Sequence, residues 1–403
     1  MAGLPATGEG NAEISVGYET GEIAGKDNRS LQAAVDYVAG LGGGTVRVGP
    51  GRYLMRNALV LRDRVKVLGA PGQTVLAACD GAESPLELDG DCNERQITLA
   101  DPSAFRTGDG VAIQDDHAGG FTVTTATLTS QVDAKTFRIS NPLYLDYMVA
   151  SKAKARLVFP VVGGWCIKNA AVEGLTIEGN RGKSQPLNGC RGGGIYLFEC
   201  TGVGIRNCVV RSYNGDGISF QVSEDVAVED CVCEKNAGLG LHPGSGSQRP
   251  VLRRNRSSDN EGDGMFVCWR VKHGVFEANE IRGNKGHGIS IGHKDTDNVF
   301  RGNTIVGNLK AGVLFRDENE PMAAHRNLFE GNTILDNGAA EKPGSRAAIV
   351  VLGHTHDLVF RKNKIGWSKG GAEAGAGIRI GEHAQRIDAG ENEFANVSKD
   401  IQR

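Results

Sequence analysis

The stretch "GDGMFVCWRVKHGVFEANEIRGNKGHGISIGHKDTDNVFRGNTIVGN", residues 262–308, contains the same pattern twice. Each half opens with Gly-x-Gly, continues through alternating apolar residues, passes a polar cluster and closes at Asn-x-x-x-x-Asn. Alternation of this kind is the period of a β-strand, and Gly and Asn favour tight turns. The stretch therefore predicts short strands separated by turns, in copies that stack on one another.

The same copies recur along the chain at a spacing of 23 or 24 residues, led by Gly194, Gly217, Gly240, Gly264, Gly288 and Gly312. A repeat of this length predicts a solenoid in which each copy forms one turn, or rung, of a coil. Side-chain amides stacked at the turns can bond one rung to the next. Two such columns are predicted: Asn207, Asp230, Asn255, Asn279, Asn303, Asn332, Asn363 and Asn392, and then Asn214, Asn236, Asn260, Asn284, Asn308 and Asn337.

The segments outside the repeat predict a cap and an insertion. In "DNRSLQAAVDYVAGLGGGTVRV", residues 27–48, apolar residues at helical spacing follow Asn28 and Ser30, and either of these two can be the N-cap of a helix. Residues 95–158 break the repeat with segments typical of antiparallel strands. We therefore predict an all-β solenoid with an N-terminal cap and first rungs in 1–94, an antiparallel β insertion in 95–158 and the main coil in 159–403.

Composition excludes several classes of function. The formal net charge of −3 predicts no strong field for nucleic acid or anionic membranes, and no apolar run is long enough to span a bilayer. Residues 1–17 lack a basic region followed by an apolar run, so no secretory signal is expected. The nine cysteines lack the paired spacing of a zinc site, and we interpret most of them as small buried residues.

Several motifs resemble the right-handed parallel β-helix superfamily of polysaccharide-active enzymes, which includes pectate lyases and polygalacturonases. They are "GGGTVRVGPGRYLM" after the predicted helix, and the rung ends "NCVV", "NEI" and "NTI". The resemblance extends over nearly the whole chain and rests on structural residues. It implies a right-handed coil whose groove binds a polysaccharide or oligosaccharide. The polygalacturonase signature is not matched, because Gln114-Asp115-Asp116 lies in the predicted insertion.

Polar residues that depart from the repeat mark the candidate site. Equivalent residues of neighbouring rungs lie about 5 Å apart, so turn residues of successive copies form one patch. The predicted catalytic residues are Lys294, Arg270, His293, Asp295 and Asp317. The predicted substrate-binding residues are His242, Trp269, Lys272, Arg316, Glu318 and Gln221.

The excess of cations in this patch favours an acidic, uronate-containing substrate cleaved by β-elimination. That reaction needs a positive charge for the carboxylate, a base for the C5 proton and an acid for the leaving oxygen. The resemblance implies Lys or Arg as the base, here Lys294. Asp295, Asp317 and Glu318 could instead hold Ca²⁺ through oxygen ligands. Two alternatives stay open: an inverting glycoside hydrolase using two carboxylates, and a non-catalytic glycan-binding protein.

Overall fold

The computed structural model describes residues 12–342, 345–369 and 375–403. Residues 1–11, which make up most of the segment judged to lack a secretory signal, lie outside the described residues. The described chain forms a parallel β-helix with an antiparallel insertion, as predicted. Its described helices include none long and apolar enough to cross a membrane.

Two large sheets run along the coil, and their strands pair in parallel from rung to rung. The eleven-stranded sheet consists of Leu59–Val60, Val162–Trp165, Ile195–Phe198, Ile218–Gln221, Leu241–Gly244, Met265–Phe266, Ile289–Ile291, Val313–Phe315, Ala347–Val351, Ala376–Ile380 and Lys399–Gln402. The 22-stranded sheet consists of Ala12–Gly17, Ile23–Ala24, Gly44–Val48, Gly51–Met55, Val65–Gly69, Thr74–Ala78, Ala171–Glu173, Thr176–Glu178, Gly204–Arg206, Val209–Arg211, Ala227–Glu229, Val232–Glu234, Val251–Arg253, Arg256–Ser258, Val275–Glu277, Glu280–Arg282, Val299–Arg301, Thr304–Val306, Leu328–Glu330, Thr333–Leu335, His356–Gly366 and Gln385–Ala395.

A helix at Asn28–Gly40 caps the N-terminal end of the coil. Leu31, Ala34, Val35 and Val38 are fully buried against the first rungs, in agreement with their spacing. The N-cap is Asp27, whose carboxylate accepts the Arg29 N–H at 2.9 Å. This corrects the expectation that Asn28 or Ser30 would be the N-cap of the helix.

The insertion leaves the coil after Thr74–Ala78 and returns at Val162–Trp165. Its strands are Glu83–Pro85, Gln96–Thr98, Gly110–Gln114, Thr124–Gln131, Thr136–Ile139 and Lys154–Arg156. All of their pairings are antiparallel, and the sheet begins ahead of residue 95. Single turns of 3₁₀-helix lie at Gly120–Thr122, Val149–Ser151 and Glu320–Met322.

Asparagine ladders connect the rungs, and the predicted stacking of Asn279, Asn303 and Asn332 is confirmed. The Asn303 amide donates to the Phe276 carbonyl and to the Asn332 side-chain oxygen, both at 2.9 Å. Its own side-chain oxygen accepts the backbone N–H and the amide of Asn279. Because each amide satisfies polar atoms of two rungs, the ladders allow buried turns without unpaired backbone groups.

The first members of both predicted columns do not join the ladders. The backbone N–H of Cys231 donates to the Asn255 side chain, so Cys231 occupies the ladder position that the sequence assigned to Asp230. Asp230 and Asn207 have φ angles of 56° and 49°, at the left-handed turn position. The second ladder likewise begins at Tyr213, whose N–H donates to Asn236, rather than at Asn214.

The cysteines are all free thiols. Five of them are buried, namely Cys79, Cys200, Cys208, Cys231 and Cys233. Their interpretation as small core residues is therefore confirmed for these five. Cys190 and Cys268 differ from them, because both are partly exposed and line the cleft described next.

Candidate functional site

A cleft with a cavity volume of about 1080 Å³ lies on the outward face of the eleven-stranded sheet. Strand alternation buries Leu241 and Met265 in the core and turns their neighbours His242 and Phe266 outward into the cleft. The segment 186–191 covers one side of this first cavity. The cavity is therefore built by regular strands below and an irregular loop above.

A second cavity of about 500 Å³ continues the cleft toward the insertion. Arg191 and Phe198 line both cavities, so the two are contiguous. Tyr144 and Asn141 from the insertion and Trp165 from the coil line the second cavity. The insertion, whose role the sequence left open, thus forms a wall of the cleft.

Asp216 and His242 form a hydrogen-bonded pair in the first cavity. Asp216 Oδ2 lies 2.8 Å from His242 Nδ1, and the two side chains are only 8% and 7% exposed. The other carboxylate oxygen accepts the backbone N–H of Leu239 at 2.9 Å. With its Nδ1 proton donated to Asp216, the neutral ring has its lone pair on Nε2.

A glycine allows the loop to close over this pair. A Cβ atom on Gly189 would lie 1.8 Å from Asp216 Oδ2 and 2.5 Å from His242 Nδ1. Both contacts are far below van der Waals distance, so any larger residue would displace the loop or the pair. Sequence reasoning included His242 and missed Asp216, because Asp216-Gly217 looks like the Gly-Asp-Gly turn that Asp263 occupies in another rung.

Arg191 provides a positive charge between the two cavities. Its guanidinium carbon lies 4.4 Å from the ring centre of Tyr144 and 5.6 Å from that of Phe198. Its Nε donates to the Phe121 carbonyl at 3.0 Å. Cation–π contacts and this hydrogen bond fix the guanidinium in place. Arg191 was not among the residues predicted from sequence, because it lies in a loop outside the repeat.

Trp269 and Arg270 also line the first cavity. Trp269 is 43% exposed, and its ring lies 5.0 Å from that of His293. The Arg270 guanidinium lies 5.6 Å from the Trp269 ring centre. The structure therefore brings three predicted site residues, His242, Trp269 and Arg270, into one cavity.

His293, Arg316 and Glu318 meet next to this cavity. His293 Nε2 lies 2.8 Å from Glu318 Oε1, and His293 Nδ1 lies 3.7 Å from the sulfur of Cys268. Arg316 Nη2 approaches the same Nδ1 at 3.4 Å and donates to the Val267 carbonyl at 2.9 Å. Burial and the charge of Arg316 lower the pKa of His293.

The surroundings of Asp295 indicate that its side chain stabilises the coil. Its side chain is fully buried and accepts the backbone N–H groups of Val271 and Gly292. Ser223 and Ser247 accept the equivalent bonds three and two rungs earlier in the coil, respectively. Without exposed surface, Asp295 cannot contact a substrate, and we do not retain it in the proposed site.

The remaining predicted residues lie outside the lining of both described cavities. Lys294 and Lys272 are partly exposed, and Asp317 is exposed. Gln221 is fully buried below the cleft, where its amide donates to the Gly189 carbonyl and to Ser219 Oγ. Gln221 therefore supports the loop that covers the Asp216–His242 pair.

Two of the three predicted Ca²⁺ ligands already have other partners. Asp295 is occupied by backbone N–H groups, and Glu318 binds His293. In the described part of the chain, the group with metal-ligand spacing is Glu320, His325 and His356. Both Nε2 atoms face Glu320 Oε1, at 3.9 Å from His325 and 3.2 Å from His356. His325 Nδ1 accepts the backbone N–H of His356, so its neutral ring carries a proton on Nε2 and offers no lone pair there.

Asp295 gives the folded protein a specific pH dependence. Burial raises its pKa to about 7, so the folded state retains a proton that the unfolded chain releases near pH 4. The stability due to this proton is present below about pH 4 and is lost as the pH rises to about 7. We expect the difference in urea midpoint between the wild type and Asp295→Ser to fall over this range.

The control for this measurement is Asp317→Ser, which removes an exposed carboxylate from the adjacent rung. The difference in urea midpoint between the wild type and Asp317→Ser should be the same at every pH in this range. A difference between wild type and Asp295→Ser that does not change with pH would show that Asp295 is already ionised in the folded state.

Comparisons with known proteins agree with this fold. The family model described as "Right handed beta helix region" matches residues 166–327. No curated protein matches the sequence significantly. The A-module of the Azotobacter vinelandii mannuronan C-5 epimerase AlgE4 is similar in structure, with 18% identity, a TM-score of 0.62, and coverage of 96% of this chain and 97% of that chain.

Two further solved structures are similar over most of their length. A glycoside hydrolase has 11% identity and a TM-score of 0.55, and the match covers 97% of this chain and 96% of that chain. A hyperthermoactive exopolygalacturonase from Thermotoga maritima has 12% identity and a TM-score of 0.51, with coverage of 93% and 89%. The parallel rungs, the asparagine ladders and these matches together show that the chain has a right-handed parallel β-helix fold.

Proposed function

We propose that this protein acts on a uronate-containing polysaccharide, removing the proton at C5 and breaking the adjacent glycosidic bond by β-elimination. The observation that carries the proposal is the buried Asp216–His242 pair, which lies in a cleft whose other charged side chains are arginines. The similar structures include enzymes named for mannuronan and polygalacturonate chemistry, which supports a polymeric acidic sugar.

His242 is the proposed base. Its Nδ1 is paired with Asp216, and among the described residues Nε2 has no hydrogen-bond partner. Nε2 can therefore take the C5 proton, while Asp216 stabilises the imidazolium that forms. This role replaces the predicted role of Lys294, whose side chain lies outside the cavity lining.

Arg191 is the proposed partner of the substrate carboxylate. A C5 proton becomes acidic when the negative charge that develops on the carboxylate is stabilised, and a planar guanidinium pairs with a carboxylate in two hydrogen bonds. The Tyr144 phenol, in contact with Arg191, faces the same cleft. We assign it the proton for the leaving oxygen, so that C5–H and C4–O4 break, C4=C5 forms, and His242 holds the abstracted proton.

The geometry gives less support to an inverting hydrolase. That mechanism needs two carboxylates on opposite sides of the bond, separated by roughly 6.5–9.5 Å. Among the described residues that line the two cavities, the single carboxylate is Asp216, and it is bound to His242. Asp295 and Asp317, the pair predicted from sequence, are buried and outside the lining respectively.

C5 epimerisation is the second candidate. It begins with the same proton abstraction but returns a proton to the opposite face of C5 instead of expelling the C4 oxygen. The match to the epimerase A-module over 96% of this chain and 97% of that chain favours it. Both candidates require the same base, so variants of His242 do not separate them, whereas the reaction products do.

The experiment is an assay against a panel of acidic and neutral polysaccharides. Elimination produces an unsaturated uronate that absorbs ultraviolet light, hydrolysis produces reducing ends without that absorbance, and epimerisation changes the sugar without cleaving the chain. We expect ultraviolet absorbance with a polyuronate and none with a neutral glucan. Reducing ends alone would contradict the proposal, and binding without any change would identify a non-catalytic glycan-binding protein.

Arg270 should contribute to substrate binding in a salt-dependent way. Replacing it with alanine removes an exposed cation from the cavity wall, and we expect KM for a polyuronate to rise by roughly tenfold with kcat nearly unchanged. Added salt should narrow this difference because it screens exposed charges. Arg249→Ala is the control, since Arg249 pairs with Asp225 and Glu224 away from the cleft and its loss should leave KM unchanged.

A further inference from the structure

Three side chains of successive rungs form a row that the proposed elimination does not use. Cys268, His293 and Glu318 follow the strands that begin at Met265, Ile289 and Val313. The Cys268 sulfur lies 3.7 Å from His293 Nδ1, and His293 Nε2 lies 2.8 Å from Glu318 Oε1. A thiol, an imidazole and a carboxylate in this order have the connectivity of a nucleophile, its base and the group that orients the base.

The hydrogen bonds determine which nitrogen of His293 carries the proton. Arg316 Nη2, which can only donate, lies 3.4 Å from Nδ1, so the lone pair of the neutral ring is on Nδ1, the nitrogen next to the thiol; Glu318 Oε1 lies 2.8 Å from Nε2, which carries the proton. Burial and Arg316 lower the pKa of His293, which keeps the ring neutral and able to accept a proton. Burial raises the pKa of the Cys268 thiol, so the sulfur is a thiol at rest and ionises only as His293 takes its proton.

The thiol is accessible from the first cavity. Cys268 lines the cavity beside Trp269 and Arg270, and its residue is partly exposed. Arg316 approaches the same ring nitrogen, with Nη2 3.4 Å from His293 Nδ1, and its guanidinium also donates to Ser290 Oγ and to the Val267 carbonyl. A cation at this position would stabilise negative charge that develops on a carbonyl oxygen bound to the sulfur.

A glycine makes room for this cation. A Cβ atom on Gly292 would lie 2.6 Å from Arg316 Nε and 3.0 Å from its guanidinium carbon. Other rungs place Gln221 and Cys268 at the position of Gly292, which shows that the coil itself does not require glycine there. The small residue is explained by the packing of Arg316.

We propose that Cys268, His293 and Glu318 form a catalytic triad that hydrolyses carboxylic esters carried by a sugar bound in the cleft. His293 takes the thiol proton as sulfur bonds to the carbonyl carbon, and then gives that proton to the departing alcohol. Water, deprotonated by His293, hydrolyses the thioester and releases the acid and the free thiol. The net reaction converts an ester and water into an acid and an alcohol, with no oxidant or metal.

The inference depends on the proposed function only for the identity of the sugar, so the first test uses a small ester. We expect the wild type to hydrolyse p-nitrophenyl acetate and to carry an acetyl group on the Cys268 peptide by mass spectrometry after rapid acid quench. Cys268→Ala should abolish both signals, and His293→Asn should slow turnover by at least roughly 100-fold. Cys92→Ala, which removes an exposed thiol outside both cavities, should change neither.

Two polymer substrates identify the source of the ester. Release of acetate from an O-acetylated polyuronate would place the ester on a sugar hydroxyl, and release of methanol from a methyl-esterified polyuronate would place it on the uronate carboxyl. His242→Ala should lower elimination by roughly 10²- to 10⁴-fold and retain hydrolysis of p-nitrophenyl acetate, so that each activity can be lost without the other. Equal hydrolysis by wild type and Cys268→Ala, or no hydrolysis of any of the three esters by the folded wild type, would overturn the triad.

Discussion

Replacing His242 with alanine is expected to lower turnover of a polyuronate by roughly 10²- to 10⁴-fold, because the general base for the C5 proton is lost. The Asp216–His242 pair is buried, and its Nδ1–Oδ2 distance of 2.8 Å fixes the ring orientation. Asp216→Asn should also lower turnover, since an amide cannot stabilise the imidazolium as a carboxylate does. Initial rates with saturating substrate measure both effects.

The control is His273→Ala, which removes a histidine at an exposed turn outside both cavities. Its turnover should match that of the wild type. Thermal melting of each variant must show a folded coil, because His242 is itself buried. Turnover by folded His242→Ala within a factor of about three of the wild type would exclude His242 as the base.

Phe300→Ala should cause the largest loss of stability. Phe300 is fully buried between Phe276 and Phe329, with ring centres 4.6 and 4.4 Å away in near-parallel stacks. Removing the ring leaves a cavity in the middle of the coil, and Phe→Ala substitutions in cores cost about 3–5 kcal/mol. The urea midpoint, followed by circular dichroism, should fall clearly below that of the wild type.

Leu309→Ala is the matched control because Leu309 is 38% exposed at a turn, and its truncation should change stability by less than about 0.5 kcal/mol. Solenoids bury their core through neighbouring rungs, so damage to one rung also weakens its two neighbours. Equal urea midpoints for Phe300→Ala and Leu309→Ala would contradict a continuous stacked core.

The repeat predicted the fold well because each rung needs the same residues at the same turns. Asn279 and Asn303 stack as expected, since their amides satisfy the backbone of two rungs. The prediction was wrong by one residue at Asn207 and Asp230. Both residues occupy the left-handed turn position, which directly precedes the ladder position in the chain. The left-handed turn position and the ladder position are adjacent and both favour Asn, so the residue type alone does not tell them apart.

The cleft was less predictable than the coil. His242, Trp269 and Arg270 belong to the repeat, so counting along the rungs brought them together. Arg191 and Tyr144 come from a loop and from the insertion, and no period relates them to the rungs. Asp295 was misleading because a buried carboxylate that accepts backbone N–H groups has the same sequence appearance as one that faces a substrate.

If the cleft removes the C5 proton of a uronate, the fate of the C5 hydrogen in D₂O is the decisive measurement. The wild type and His242→Ala are incubated with a polyuronate in D₂O, and the polymer and its fragments are analysed by NMR. We expect C4=C5 unsaturated ends or deuterium at C5 with the wild type, and neither with His242→Ala. Fragments that keep the original C5 hydrogen and show no unsaturation would contradict it.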